Sequence, residues 1–427
     1  MRVIFCTSGI GALGETYSTA LFARQLLENG HECFFIIPKL GGEYLKTFGF
    51  KIQSIYVLPS NKGGKYDIKE NYQFFKEFVT LASPDFVVAV DWHQFGTDGY
   101  AYNYTYSINW FEDNIKIGTL DHFGFAPHGA EVKIHRSFET ENKIFSPLSN
   151  RYSFIIRPCP HHDNSVNQIN NIYYWSLFKN KISNTSVKKN MLRKQQLKNH
   201  SKTILHPIGF WQQRILEREF QKKNIKCDYY FDILLPMIYE CISKTNIKVT
   251  YIIISGNIKK ELRSQYKNID IIIKPPMNNE LFTSLLLIAD IFVTDNIMSS
   301  NLGKAVFANK VPIVFKNSLN PECKQSNGVF RSSSLIKKKF TFLLENDLLF
   351  PYISFPLGFN ELTSMYQNNN FSSTFFQQEI FEEDSNIQLF SNLLNNRENY
   401  TSIYESQNQY ISNSKNLFLA NEIMEQV

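Results

Sequence analysis

The chain has 427 residues, 43% hydrophobic and 20% charged, with a formal net charge of +6. That balance excludes wholesale disorder and any collagen-like or linker-type chain, and the length suits two or three domains at roughly 100–200 residues each. The positive charge admits a nucleic-acid or membrane partner, a reading that turns on where along the chain the charge lies.

The first run, Arg2 to Cys6, is short and apolar and predicts a buried strand. A Gly-rich loop, Gly9-Ile-Gly-Ala-Leu-Gly14, follows. Leu21, Phe22, Leu26 and Leu27 then recur at helical spacing between Glu15 and Asn29, and Gly30 caps the helix. Cys33 to Ile37 reads as a second strand stopped by Pro38, which completes a β-loop-α-β unit with parallel strands and a right-handed crossover. Strands over 52–58, 84–91 and 115–120 and a helix over 72–81 continue the alternation. A second cycle begins after residue 200. Its strands are expected at 203–206, 249–255, 269–273, 291–294 and 312–315, and its helices at 229–243, 280–288 and 299–308. Continuous Val/Ile runs between helices predict α/β architecture with parallel sheets covered on both faces. The tail beyond residue 360 is polar, with helices expected over 375–383 and 386–394.

Gly9-x-Gly11-x-x-Gly14 matches the dinucleotide fingerprint, in which amides at a helix N-terminus hold a pyrophosphate. That chemistry needs an acid at the end of the second strand, which here ends Ile36-Ile37-Pro38-Lys39. The loop therefore reads as a tight strand-to-helix turn that lets a ligand, an acceptor, or the other domain approach closely, rather than as an NAD site. Glu15 complements the dipole of its helix or serves as a general base. Asp91-Trp92-His93 and Asp121-His122 end neighbouring strands, where parallel sheets gather ligands. There an Asp orients and charge-stabilises an imidazole base, or polar residues simply meet solvent.

Cys159-Pro-His-His-Asp163 gathers metal-capable side chains, but no partner ligands stand at zinc spacing and no Asp-x-Asp occurs, so no metal is expected. Six scattered cysteines without a CxxC pair read as free thiols of a reducing compartment. In the second half, Ala289 to Thr294 leads through Asp295-Asn296-Ile297-Met298 into a helix that begins Ser299-Ser300-Asn301. Small hydroxyls and free amides there suit a diphosphate, or are ordinary caps. The strand end Ser255-Gly256-Asn257 is expected to face the same cleft.

The opening loop and helix ending Leu26-Leu-Glu-Asn-Gly-His31, and the stretch from Ala289 to Val314, resemble the GT-B type of nucleotide-sugar-dependent, UDP-glycosyltransferase-like enzymes. The similarity spans roughly residues 1–130 and 201–316. It implies two Rossmann-like domains facing across a cleft, with C-terminal helices: an acceptor domain over 1–200, a donor domain over 201–350, and a helical extension over 351–427 that packs back on the cores. It further implies a metal-independent glycosyltransferase that moves a sugar from a nucleoside-diphosphate sugar to a small-molecule or glycan hydroxyl, with no permanently bound cofactor. Donor contacts would fall on Gly209, Ser255 to Asn257, Lys274, Met277, Asp295, Asn296 and Met298 to Asn301. Acceptor contacts would fall on Gly9, Gly11, Gly14, Trp92 and Asp121. One of Glu15, Asp91, His93 or His122 would be the base. Departures from the family pattern are the loop Asp295-Asn296-Ile297 where a His-Gly-Gly type loop is usual, Gly303-Lys304 near the usual ribose-binding acid, and no His after the first strand. A sugar-nucleotide epimerase of the same fold and a non-catalytic binding or partner subunit are the alternatives.

The charge is unevenly placed. Between Lys179 and Lys202 stand eight basic residues and no acid, whereas residues 371–427 hold eight acids against Arg397 and Lys415. The basicity thus belongs to a segment entering the second domain: a solvated linker, or a contact with the acidic tail or, weakly, with an anionic membrane. It gives no support to a nucleic-acid role. With no signal-peptide pattern and no apolar run long enough to span a bilayer, a cytoplasmic location is expected.

Overall fold

The computed structural model describes residues 1–7, 13–58, 68–92, 95, 107–124, 132–134, 143–145, 148–159, 171–178, 181–182, 202–319, 329, 332–349, 351–354, 369–395 and 400–427. Two compact units emerge. Unit 1 comprises Met1–Ile134, Ile144–Lys179 and Asn413–Val427; unit 2 comprises His135–Lys143 and Asn180–Ser412.

Unit 1 is built on β1 (Arg2–Cys6), β2 (Glu32–Ile37), β3 (Ile55–Val57), β4 (Phe86–Val90) and β5 (Lys116–Leu120). The short pair β6 (Val132–Ile134) and β7 (Lys143–Phe145) stands apart, and β8 (Tyr152–Cys159) and β9 (Ile172–Ser176) complete the main sheet. Its order is β3-β2-β1-β4-β5-β8-β9, parallel throughout. Helices α1 (Leu13–Glu28), α2 (Lys39–Thr47) and α3 (Ile68–Ala82) connect the first four strands. On one face the Phe22 ring of α1 meets Phe5 at 5.9 Å and Trp175 at 4.9 Å, both edge-on. On the other, Ile4, Cys6, Ile36, Val87 and Ala89 pack with Phe75 and Phe78 of α3. Burial on both faces is why these strands read as unbroken apolar runs.

Two local features hold this unit together. A Cβ on Gly118 would lie 2.0–2.4 Å from the buried Phe154 ring, so β5 and β8 close on each other only because residue 118 is glycine. Gln25 accepts hydrogen bonds from Trp175 Nε1 (3.0 Å) and from the Ala420 amide (2.9 Å), which fixes the last helix of the chain against α1.

Unit 2 repeats the winding. Its strands are β10 (Lys202–Pro207), β11 (Val249–Ile254), β12 (Leu262–Tyr266), β13 (Ile269–Lys274), β14 (Ile291–Thr294), β15 (Val311–Lys316) and β16 (Phe376–Glu379). They run in the order β12-β13-β11-β10-β14-β15-β16, and only β12 is antiparallel. Its helices are α4 (Phe210–Lys222), α5 (Leu235–Ser243, entered through a π-helical turn at Tyr229–Leu234), α6 (Asn279–Ile288), α7 (Ser300–Phe307), α8 (Ser334–Glu345), α9 (Glu383–Asn395) and α10 (Thr401–Ser414). Helix α11 (Ala420–Gln426) belongs to unit 1.

The helix expected over 375–383 is not formed. Residues 376–379 pair in parallel with Ile313 to Lys316 as the edge strand β16, and Lys316 pairs with Glu379 at 3.4 Å. The Gln-Gln-Glu sequence favours helix locally, but the open edge of β15 offers a ladder that overrides a weak propensity. The strand expected over 52–58 is shorter, because Ile52–Ser54 forms a 3-10 turn before β3. Among the described residues, no helix is long and apolar enough to cross a membrane.

Candidate functional site

Each sheet reverses its strand order once, at β1/β4 in unit 1 and at β10/β14 in unit 2; ligands of doubly wound sheets collect at the carboxyl ends of such strands.

In unit 1, β4 and β5 run side by side with Val90 opposite Leu120, so Asp91 and Asp121-His122 leave the sheet together. Asp91 adopts φ +58°, a left-handed conformation that Asp tolerates better than most residues. Its amide still donates to the Leu120 carbonyl (2.8 Å), while its carboxylate is carried to the start of the next loop. There Asp91 Oδ1 lies 3.1 Å from the His122 amide and 3.0 Å from His122 Nδ1. Nε2 of the same ring lies 2.7 Å from the Ser18 hydroxyl on α1. Asp91 is 1% exposed, whereas the His122 side chain keeps 13% of its surface open. A carboxylate on Nδ1 fixes the imidazole with its proton on that side and leaves Nε2 as the basic atom.

The other expected residues of unit 1 surround this pair in different ways. Trp92 is buried and its amide donates to Thr119 Oγ1 (3.1 Å). Asp121 is fully buried, with Arg157 Nε 3.9 Å from its carboxylate. Glu15 is buried in the first turn of α1, where its carbonyl accepts the Thr19 hydroxyl (2.8 Å). Gly14 is exposed and its carbonyl accepts from Ser18 (3.0 Å). Gly9, Gly11, His93 and the 161–163 stretch lie outside the described residues, as does the basic segment apart from Lys181 and Lys202. Ser18 was missed in the sequence; the one available signal was its place a helical turn beyond Gly14.

In unit 2, amide side chains stitch the strand ends together. Gln213 and Ser255 exchange hydrogen bonds (2.9 and 3.2 Å), and Asn296 Nδ2 donates to Gln212 Oε1 (3.3 Å) across the β10/β14 switch point. The Asn296 carbonyl oxygen also accepts from the Met298 amide (2.9 Å) and the Ser354 hydroxyl (2.5 Å). Ser255, Asp295 and Asn296 are buried, so their side chains shape the loops from within. Lys274 is buried beside its ion-pair partner Glu261, and Met277 is half-buried in the loop after β13. A Cβ on Gly256 would meet Phe210 Cδ2 at 2.1 Å, and one on Gly209 would meet Gln212 Oε1 at 2.3 Å; both glycines serve close packing at the start of α4. Asn257, by contrast, is exposed and donates to Glu217. Ser299 caps α7 without a side-chain cap bond, and Ser299, Ser300 and Asn301 all keep partial exposure at its N-terminus. Polar hydroxyls and amides at a helix start can hold an anion.

Behind this surface, burial pushes the Asp295 carboxyl up to about 6, opposed by the hydrogen bond it accepts from Tyr230 (2.9 Å). Burial lowers His206, whose Nδ1 lies 2.9 Å from the Tyr251 hydroxyl, to about 3. Burial also lowers Lys304 of α7 to about 7; its ammonium donates to Asn279 and lies over the Phe282 ring. Among the described residues, no group of three or more His, Cys, Asp or Glu could hold a metal ion.

Solved structures of similar fold span the whole chain. The spinosyn forosaminyltransferase SpnP is 9% identical with a TM-score of 0.57, covering 100% of this chain and 98% of its own. A UDP-GlcNAc 2-epimerase from Neisseria meningitidis bound to UDP-GlcNAc is 13% identical with a TM-score of 0.55, covering 100% of both chains. The spinosyn rhamnosyltransferase SpnG complexed with thymidine diphosphate is 8% identical with a TM-score of 0.52, covering 100% and 99%. The architecture is thus that of the GT-B glycosyltransferases, shared with sugar-nucleotide epimerases. No curated protein matches the chain in sequence. A family profile matches residues 22–427, and the chain therefore belongs to DUF6365, a family of unknown function.

Proposed function

We propose that the chain is a glycosyltransferase that moves a sugar from a nucleoside-diphosphate sugar to a hydroxyl of a small molecule or glycan. The observation that carries this reading is the Asp91–His122 pair at adjacent strand ends of a GT-B fold, with a buried carboxylate behind a partly exposed imidazole. In this reading unit 1 supplies the base: His122 takes the proton of the acceptor hydroxyl and Asp91 stabilises the imidazolium. Unit 2 supplies the donor site: the start of α7 from Ser299 to Asn301 receives the diphosphate, on loops held by Gln212, Gln213 and Asn296. Anion stabilisation at the helix start assists the leaving group without a metal or a permanent cofactor.

A thermal-shift screen against UDP, TDP and GDP and their sugars tests the donor site, because a ligand that binds only the native state raises its stability by mass action. Ser300→Glu should abolish the response by charge repulsion; an unchanged response removes the diphosphate site from α7. Nucleotide release from the stabilising sugar nucleotide, measured with His122→Gln alongside, tests the base. Interconversion of UDP-GlcNAc at C2 with no acceptor present would replace the transferase reading with an epimerase one. Nucleotide binding with neither reaction would leave a binding subunit.

A further inference from the structure

Both ring nitrogens of His122 are engaged, and the partner of the basic one is unusual. Ser18 Oγ lies 2.7 Å from Nε2 and 3.0 Å from the Gly14 carbonyl oxygen. It is 1% exposed, locked in the second turn of α1. A hydroxyl has one proton to give and lone pairs to receive with. While Nε2 is unprotonated, Ser18 donates to it. Once Nε2 carries a proton, that N–H donates to Ser18 Oγ and the hydroxyl proton turns to Gly14. Asp91, imidazolium, hydroxyl and carbonyl then form one chain with an acceptor for every donor.

We infer that Ser18 is a positioning residue for His122, a hydroxyl that reverses its hydrogen bond to suit both protonation states of the base. The inference rests on the reading of His122 as that base. An approaching acceptor hydroxyl displaces the Ser18 proton toward Gly14 and takes its place at Nε2. The acceptor O–H bond breaks, its proton goes to Nε2, and its electron pair forms the new bond to the sugar carbon. The bond from that carbon to the diphosphate breaks, and the diphosphate leaves with the electron pair. Ser18 then receives the Nε2–H and steadies the imidazolium until the proton is lost to solvent.

The test compares Ser18→Ala, Ser18→Thr and His122→Gln in nucleoside-diphosphate release from UDP-glucose, UDP-GlcNAc and TDP-glucose, with water as acceptor, from pH 5 to 9. Ser18→Ala removes a charge-assisted bond to the imidazolium, about twice as strong as the neutral bond it also removes, so the base protonates less readily. The acid limb of its rate profile should move down by about half a pH unit, and kcat should fall about tenfold with donor KM unchanged. Ser18→Thr should restore both, since the Thr19 hydroxyl on the Glu15 carbonyl shows that α1 accommodates this bond. His122→Gln should abolish release. Wild-type kcat and profile in Ser18→Ala, beside an inactive His122→Gln, overturn the role of Ser18 alone; an active His122→Gln overturns the base. If no donor turns over, the His122 ring 15N signals decide. They should shift in Ser18→Ala and return in Ser18→Thr, and an unchanged spectrum overturns the inference.

Discussion

Asp91→Asn isolates the charge behind His122. Asn occupies the left-handed region at least as readily as Asp, so the φ of +58° is kept, and the side chain has the same shape. Its carbonyl oxygen still accepts the His122 amide, which sits 3.1 Å from Oδ1. The negative charge facing Nδ1 at 3.0 Å is lost. A hydrogen bond to a charged group contributes about 1.5–3 kcal/mol, and this one strengthens as the imidazole becomes imidazolium in the transition state. At 1.36 kcal/mol per factor of ten, kcat should fall about ten- to a hundredfold. The variant also allows the amide NH2 to face Nδ1, which would put the ring proton on Nε2 and deepen the loss. Folding stability should change by only about 1–1.5 kcal/mol, since one neutral bond replaces one charged bond. The assay is nucleotide release from a sugar nucleotide that raises the melting temperature, with melting curves of both proteins. Turnover within twofold of wild type, with the variant folded, would refute the pairing of Asp91 with a catalytic His122.

Gly118→Ala should lower stability by about 1–3 kcal/mol in denaturant melts, because its Cβ would overlap the buried Phe154 ring, and should reduce turnover by disturbing the strand that carries His122. Lys304→Met should stabilise the chain most at pH 7 and below. The buried amine binds fewer protons folded than unfolded between about 7 and 10.4, so the wild type gains stability as pH rises through that window and the variant does not. Asp295→Asn should show the opposite trend. Its carboxyl sits at about 6 folded against roughly 3.9 unfolded, so the wild type loses up to about 3 kcal/mol between pH 4 and 6 that the variant keeps. A melting difference that is equal at pH 4.5 and pH 7.5 would contradict that assignment.

The two sheets were legible because parallel strands covered on both faces must be apolar along their whole length, and 249–254 or 86–90 can hardly be anything else. β12 was not legible: Leu-Arg-Ser-Gln-Tyr is an exposed edge that pairs with β13 on one side only. β16 was misread because its conformation is dictated by the edge of β15, more than 60 residues earlier in the chain. Strand ends at Asp91 and His122 could be nominated, since position in a parallel sheet has chemical meaning. Ser18 could not, because its significance is a contact with a residue 104 positions away. Gln212 and Gln213 could not be nominated either, because nothing in a polar Gln-Gln pair signals that both are buried.

The similar winding of the two units makes the difference in their polar filling informative. At the strand ends of unit 1 stand a buried carboxylate and a partly exposed imidazole joined by a hydrogen bond. At the switch point of unit 2 stand Gln212, Gln213, Ser255 and Asn296, groups that hold loops in place and carry no charge. Asp295 and His206 lie deeper, where burial raises the carboxyl to about 6 and lowers the imidazole to about 3. The first turn of α7 itself carries no acidic side chain, which favours an anion there. In the proposed reading the first pair would serve as proton acceptor and the second set would hold the loops of an anion site, the two functions that transfer to a hydroxyl demands.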